Sequence, residues 1–223
     1  MVTVIAPTAT VNRPTVAGLF LMTRFPEAGR TKTRLIPALG DEGAAQIQRQ
    51  MTEYLVARFQ RLRHSCQLGL EVHFAGGSLD QMVHWLGDRV CLIPQCSGHL
   101  GQRLHHAFEQ GFIAGHRRIL MVGSDCPGIG EAHISRALTQ LDSHDVVLGP
   151  AEDGGYYLVG LKAPQPRLFE SISWGQSCVL EETMAIATRH DLSVSLLDSL
   201  PDVDRPEDLP VWEAACRGAS TVQ

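Results

Sequence analysis

A chain of 223 residues with 44% hydrophobic content is long enough to bury a substantial core as one large α/β domain, and its composition is ordinary for a soluble globular protein. A formal net charge of −5 argues against general nucleic-acid binding, which usually leaves a basic stripe or a high pI, so a small anionic ligand fits better than a polyanion. The six cysteines (Cys66, Cys91, Cys96, Cys126, Cys178 and Cys216) are dispersed without a C-x-x-C pair, which indicates neither a zinc site nor a disulfide framework and suits a reducing cytoplasm.

Residues 1–13 mix Thr, Pro and Val without a basic stretch leading into a long apolar core, and no later apolar run approaches membrane-spanning length. The expectation is a disordered tail over 1–13, one domain over 14–216, a second disordered tail over 217–223, and no membrane partner. The apolar run at residues 16–22 is short and bounded like a buried parallel strand. Directly after it, Arg24, Arg30, Lys32 and Arg34 crowd a loop that contains Pro26 and Gly29. A strand-to-helix loop of this kind offers backbone N–H groups and charged side chains to phosphate oxygens, at the strand edge where α/β sheets bind ligands. The other reading is a solvated basic loop. Neither a Walker loop nor a G-x-G-x-x-G fingerprint is present in this stretch.

Apolar positions at Ala44, Ile47, Met51, Leu55 and Phe59 have helical spacing and predict a long helix from about residue 41 to 63. A strand at 68–75, a short helix at 79–86 and a strand around 90–94 follow. A helix then begins near Leu100, where Gln102 and Arg103 are placed to touch a nucleotide. The neighbouring His105 and His106 point to different parts of the helix and are read as surface residues. A strand at 118–123 ends in Ser124-Asp125-Cys126-Pro127. An acid at that edge suits a divalent cation, or else caps the helix beginning near Glu131 or shapes the Pro-Gly turn.

Another strand, at 145–150, leads through Asp153-Gly154-Gly155-Tyr156 into a strand at 158–161. The Asp-Gly-Gly run reads equally as a hairpin turn or as the wall of a sugar site. A helix over about 178–190, a strand at 192–197 and a Pro206-initiated helix complete the pattern. Asp202 and Asp204 alternate in an extended stretch, so only one should reach a site unless a turn intervenes. The alternation predicts three layers, α/β/α, around a mostly parallel sheet with one late antiparallel strand.

Taken together, the basic loop, Leu100-Gly101-Gln102-Arg103, Ser124-Asp125-Cys126-Pro127, Gly149-Pro150-Ala151-Glu152-Asp153-Gly154-Gly155-Tyr156, Trp174 before a helix, and Asp202-Val203-Asp204-Arg205-Pro206-Glu207-Asp208-Leu209 resemble a bacterial family of small GT-A-fold glycosyltransferases. These are the radical-SAM-associated or arsenosugar-biosynthesis-type transferases, of the nucleotide-diphospho-sugar transferase superfamily. The resemblance covers roughly residues 16 to 213. It implies that Arg24, Gly29, Lys32 and Arg34 hold a nucleotide and its phosphates, helped by Gly101 and Arg103. It further implies that Asp125 and Asp204 bind Mg²⁺ or Mn²⁺, that Gly154, Gly155 and Tyr156 beside Asp153 line the sugar or acceptor side, and that Trp174 closes the pocket.

Arg24 stands where the family has Lys, Ala28 where it has a second Pro, and Arg205 where it has Thr. The last, a larger change, leaves open which of Asp202 and Asp204 completes the metal site. The implied reaction is transfer of a sugar from a nucleotide-diphosphate donor to a small-molecule acceptor, with Asp153 as base and metal-bound Asp125 at the leaving group. The alternative is nucleotidylyl transfer from an NTP to a phosphorylated metabolite with release of pyrophosphate. A third is a non-catalytic nucleotide sensor, for which Arg205 and Ala28 are the only hints. A homodimer is the default expectation for its assembly.

Overall fold

The computed structural model describes residues 17–65 and 68–219, so the expected tail at 1–13 and the last four residues lie outside the described residues. The fold is an α/β three-layer sandwich around a mixed, mostly parallel sheet of seven strands in the order β3-β2-β1-β4-β6-β5-β7. The strands are β1 (Ala17–Arg24), β2 (Leu68–Ala75), β3 (Cys91–Pro94), β4 (Arg118–Gly123), β5 (Val146–Pro150), β6 (Tyr156–Leu161) and β7 (Val194–Leu196). The helices are α1 (Ile36–Ser65), α2 (Leu79–Leu86), α3 (Leu100–Ile113), α4 (Glu131–Gln140), α5 (Val179–Arg189) and α6 (Leu209–Ala219). Helix α6 therefore carries residues 217–219, which the sequence reading assigned to a tail.

Strand β1 is apolar without alternation because both of its faces are covered. Leu19 and Leu21 pack with Leu55, Phe59, Met82 and Ile134 on the face of α1, α2 and α4. Phe20 and Met22 pack with Leu104, Phe108, Val179 and Ile186 on the face of α3 and α5. Within α1, Gly40 adopts φ 70° and ψ 172°, which separates a first turn from the long helix that the apolar spacing predicts from residue 41. A small third cluster of Met51, Val203 and Trp212 seats α6 on α1.

From β1 the chain winds outward through β2 and β3, both parallel, and then returns to the other side of β1 as β4. The loops after β1 and β4 therefore diverge from adjacent strands, which makes the switch point where ligands of such sheets bind. Strand β6 runs antiparallel to both β4 and β5 and starts at Tyr156, two residues earlier than the apolar run alone suggests. The Asp-Gly-Gly segment is thus a hairpin connection, and its tip faces the same edge.

Candidate functional site

A cleft of about 630 Å³ lies at this edge, of a size that suits a nucleotide or a small metabolite. Its lining brings together five cations, Arg24 at the end of β1, Arg30, Lys32 and Arg34 from the loop that follows and Arg103 from α3. It also holds four carboxylates, Asp125, Asp153, Asp202 and Asp204, and the rings of Tyr156, Tyr157 and Trp174. The hairpin is therefore also a wall of the cleft, so both readings of Asp-Gly-Gly apply.

Lys32 is the centre of the arrangement. Its backbone is left-handed, φ 50° and ψ 45°, a conformation that costs a non-glycine residue about 1–2 kcal/mol unless its surroundings hold it there. They do: the buried ammonium donates to the Val203 carbonyl at 2.5 Å and pairs with Asp125 Oδ1 at 2.7 Å and Asp204 Oδ1 at 3.8 Å. The Val203 N–H in turn donates to the Asp125 carbonyl at 2.8 Å. Three loops, after β1, after β4 and after β7, are thereby knitted at one lysine. Lys32 was expected among the phosphate ligands; its ammonium is engaged with these carboxylates and this carbonyl, so its place is between the carboxylates.

Arg34 pairs with Asp204 Oδ2 at 2.6 Å across the mouth of the cleft. Arg30 meets Glu27 at 3.5 Å, and the Arg103 Nε donates to the Gly98 carbonyl at 2.8 Å while the residue still lines the cleft. The floor itself carries a polar network: Thr23, Gln48 and Ser124 line the cleft, and the Gln48 amide lies 3.1 Å from Thr23 Oγ1, 3.1 Å from Thr52 Oγ1 and 3.0 Å from Ser124 Oγ. It buttresses the segment that presents Asp125. Gln48 and Thr52 are polar residues one turn apart on the apolar stripe of α1, a signal that could have marked them.

Other predicted residues take different places. Gly29 does not line the cleft and supplies a turn, with φ 75°. Gly101 is buried beneath Trp174: a Cβ there would lie 2.5 Å from the indole Nε1 and 2.6 Å from the Phe169 carbonyl, so it makes room for the tryptophan rather than for a nucleotide. Gln102 turns back to accept from the His99 N–H at 3.1 Å, closing a capping box at the start of α3, and does not line the cleft. Gly154, with φ 89°, lies against the Ser177 backbone and gives the hairpin its turn, whereas Gly155 lines the cleft. The Tyr156 ring meets Trp174 edge to face at 6.4 Å, but its hydroxyl is buried, and burial pushes its pKa up, so Tyr156 is a wall and not a hydrogen-bond donor to a ligand.

Asp202 and Asp204 were expected to point to opposite faces; both line the cleft. The reason is that residues two apart in an extended stretch share a face: Val203, between them, is buried against Met51 and Trp212, and both aspartates point the other way. The turn at Pro206–Asp208 follows, where Asp208 Oδ2 accepts from the N–H groups of Asp204 at 3.0 Å and Arg205 at 2.7 Å. Asp202 is the residue of the site that the resemblance passed over in favour of Asp204. Burial first, then the charges of Asp153, Asp208 and Asp125, push its carboxyl up to about 6. No three His, Cys, Asp or Glu side chains are grouped to hold a metal ion by themselves among the described residues. The donor set is nonetheless a hard-oxygen one, and the repulsion that Asp153 and Asp125 exert on Asp202 is what a divalent cation relieves. Such an ion fits here as one shared between one or two carboxylates and ligand phosphates, the usual mode for Mg²⁺.

The fold and the edge on which this cleft opens define the class as nucleotide-diphospho-sugar transferase-like. A structure from Desulfovibrio desulfuricans G20, provisionally described as a nucleotide-diphospho-sugar transferase, superposes with a TM-score of 0.80 at 30% sequence identity, covering 86% of this chain and 83% of that one. CMP:2-keto-3-deoxy-manno-octonic acid synthetase complexed with CTP shares the fold, with a TM-score of 0.57 at 11% identity over 92% of this chain and 99% of that chain. So does the inositol-1-phosphate CTP transferase of T. maritima, at 0.51 and 15% over 91% and 95%. No match is found among curated proteins. The chain belongs to the bacterial family DUF2064, described as "uncharacterized protein conserved in bacteria", whose profile matches residues 56–176. That span includes Asp125, Asp153 and Trp174; the basic loop and Asp204 lie outside it.

Proposed function

We propose that the protein is a metal-dependent glycosyltransferase that moves a sugar from a nucleotide-diphosphate donor to a small-molecule acceptor. The observation that carries this reading is the meeting of five cations, four carboxylates and an aromatic wall in one cleft at the switch point of the sheet. The resemblance of its motifs to the radical-SAM-associated or arsenosugar-type transferases belongs to the same proposal, and the 30% identical D. desulfuricans protein supports it.

Arg24, Arg34 and Arg103 bind the diphosphate, with Arg30 beside them. Lys32 holds Asp125 and Asp204 in place. Mg²⁺ or Mn²⁺ held by Asp125 and Asp204 would supply charge stabilisation to the leaving diphosphate. Asp153, exposed at the hairpin tip with Oδ1 fixed by the Gly155 N–H at 2.8 Å, accepts the proton of the acceptor hydroxyl as its oxygen bonds the anomeric carbon and the sugar–phosphate bond breaks. Trp174 and Tyr156 shield that corner from water.

The test is a thermal-shift panel of nucleoside diphosphates, triphosphates and nucleotide sugars, each with and without Mg²⁺ or Mn²⁺. Metal-dependent stabilisation by a nucleotide sugar and its nucleoside diphosphate is the expected result. Stabilisation by a triphosphate alone would replace the proposal with nucleotidylyl transfer, and an Asp125→Ala variant with undiminished metal-dependent turnover would remove Asp125 from it.

A further inference from the structure

The stretch 170–178, between the turn Pro166–Phe169 and α5, crosses the cleft and joins two of its walls. Trp174, Gly175 and Gln176 line the cavity from this strap. The indole lies over Gly101 at the start of α3 and against Tyr156 at the start of β6. One step further on, the Ser177 backbone meets Gly154, and the Leu180 N–H donates to the Gly154 carbonyl at 3.0 Å, so the strap also carries the hairpin that presents Asp153.

The strap has little regular hydrogen bonding of its own, and Ser171 stands in the left-handed region at φ 56°. Its strongest tether is ionic. The carboxylate of Glu182, in the first turn of α5, accepts from the Ser173 N–H at 2.6 Å and the Ser173 hydroxyl at 2.9 Å, one bond to each oxygen, and from the Cys178 thiol at 3.5 Å. The Ser173 N–H and then its hydroxyl hold the Glu182 carboxyl below the usual range. Two charge-assisted bonds converge on the residue immediately before Trp174. Glu182 itself does not line the cleft.

We propose that Glu182 is a positioning residue of this site: by clamping Ser173 it fixes Trp174 as the wall of the sugar or acceptor side. Glutamine at 182 keeps the size but removes the charge: the amide oxygen takes one Ser173 donor, the other bond must reverse so that the hydroxyl accepts from the amide N–H, and neither is charge-assisted. The consequence for ligand affinity rests on the reading of the cleft given above; the consequence for Trp174 does not.

The experiment is fluorine NMR of the full chain labelled with 5-fluorotryptophan, with the Trp174 signal assigned by its loss in Trp174→Phe. In Glu182→Gln the Trp174 resonance is expected to shift or broaden while those of Trp85 and Trp212 stay in place, with a smaller change in Ser173→Ala. With a nucleotide sugar found by the thermal-shift panel, KM should rise about tenfold, the equivalent of one charge-assisted hydrogen bond, while kcat changes less than about threefold. An unmoved Trp174 resonance in Glu182→Gln, or equal displacement of all three, overturns the clamp. Failure of every nucleotide to stabilise the wild-type protein would instead overturn the functional reading, and the ligand-free spectra would still decide the clamp.

Discussion

A buried ammonium is tolerated only where charge and hydrogen bonds meet it, and Lys32 is met by two carboxylates and a carbonyl. Removing it leaves Asp125 and Asp204 facing one another without a cation between them. Their side chains are 51% and 31% exposed, which lets water and salt absorb part of the repulsion. Lys32→Met is therefore expected to cost about 1–3 kcal/mol, less than a fully buried pair would, read as a lower urea midpoint. Arg34→Ala, whose side chain is 59% exposed, should cost under about 1 kcal/mol in the same assay.

On the far face of β2, the Glu71 carboxylate takes His73 Nε2 at 2.9 Å and His116 Nε2 at 3.6 Å. Burial alone would raise its pKa, but the hydrogen bonds and charges of His116 and His73 outweigh burial and lower it from 4.5 to about 2. A folded pKa below the unfolded one means that its stabilisation is full above about pH 4.5 and disappears as pH falls towards 2, an effect of about 2–3 kcal/mol. Urea unfolding at pH 7, 5 and 3 should show Glu71→Gln less stable than wild type at neutral pH, with the gap closing at pH 3.

At the level of elements, two glycines decide how α3 and the β5–β6 hairpin meet the strap. Gly101→Ala drives a methyl group into the Trp174 indole and the Phe169 carbonyl, and should cost about 1–3 kcal/mol by overpacking. Gly154→Ala combines a left-handed backbone with a collision against the Ser177 carbonyl, and should cost about as much, ~1–3 kcal/mol, in thermal or urea unfolding. Neither Gly101, read as a nucleotide-binding glycine, nor Gly154, read as a hairpin or sugar-site glycine, could be assigned to its packing role from the sequence, because each reading requires backbone to approach something closely. The boundaries of β2 and α2 were legible because alternation and apolar spacing are local. Gln102 was misread for the opposite reason: its role depends on whether the side chain turns back to the His99 N–H or out towards the cleft, and spacing does not carry that direction.

For the whole molecule, a net charge of −5 surrounds a cleft lined by five cations. On the proposed function, attraction by these cations at short range and repulsion by the net charge at long range make binding of an anionic ligand sensitive to ionic strength. Affinity for a nucleotide sugar should fall about three- to tenfold between ~0.02 and ~0.3 M salt, and a flat response would mean that Arg24, Arg34 and Arg103 do not touch phosphate. The three-layer class was legible from the alternation of strand and helix patterns. The strand order was not, since nothing local in β4 says that it pairs with β1 rather than β3. The same holds for Asp202, whose place is set by the burial of Val203 beside it and by the return of the chain to the loop after β4.

That return also sets a schedule. Lys32 bonds Val203 across 171 residues, and Arg34 bonds Asp204 across 170. During synthesis the basic loop leaves the ribosome among the earliest parts of the described chain, while the partners that hold it emerge near the end. The parallel strands β1, β2 and β3 form the first contiguous part of the sheet, but of the three groups that hold the Lys32 ammonium only Asp125 is present until the segment around Val203 and Asp204 arrives. The cleft is accordingly expected to be the last part of the molecule to take shape. A fragment ending before residue 200 would keep much of the sheet and lack the groups that order the basic loop after β1.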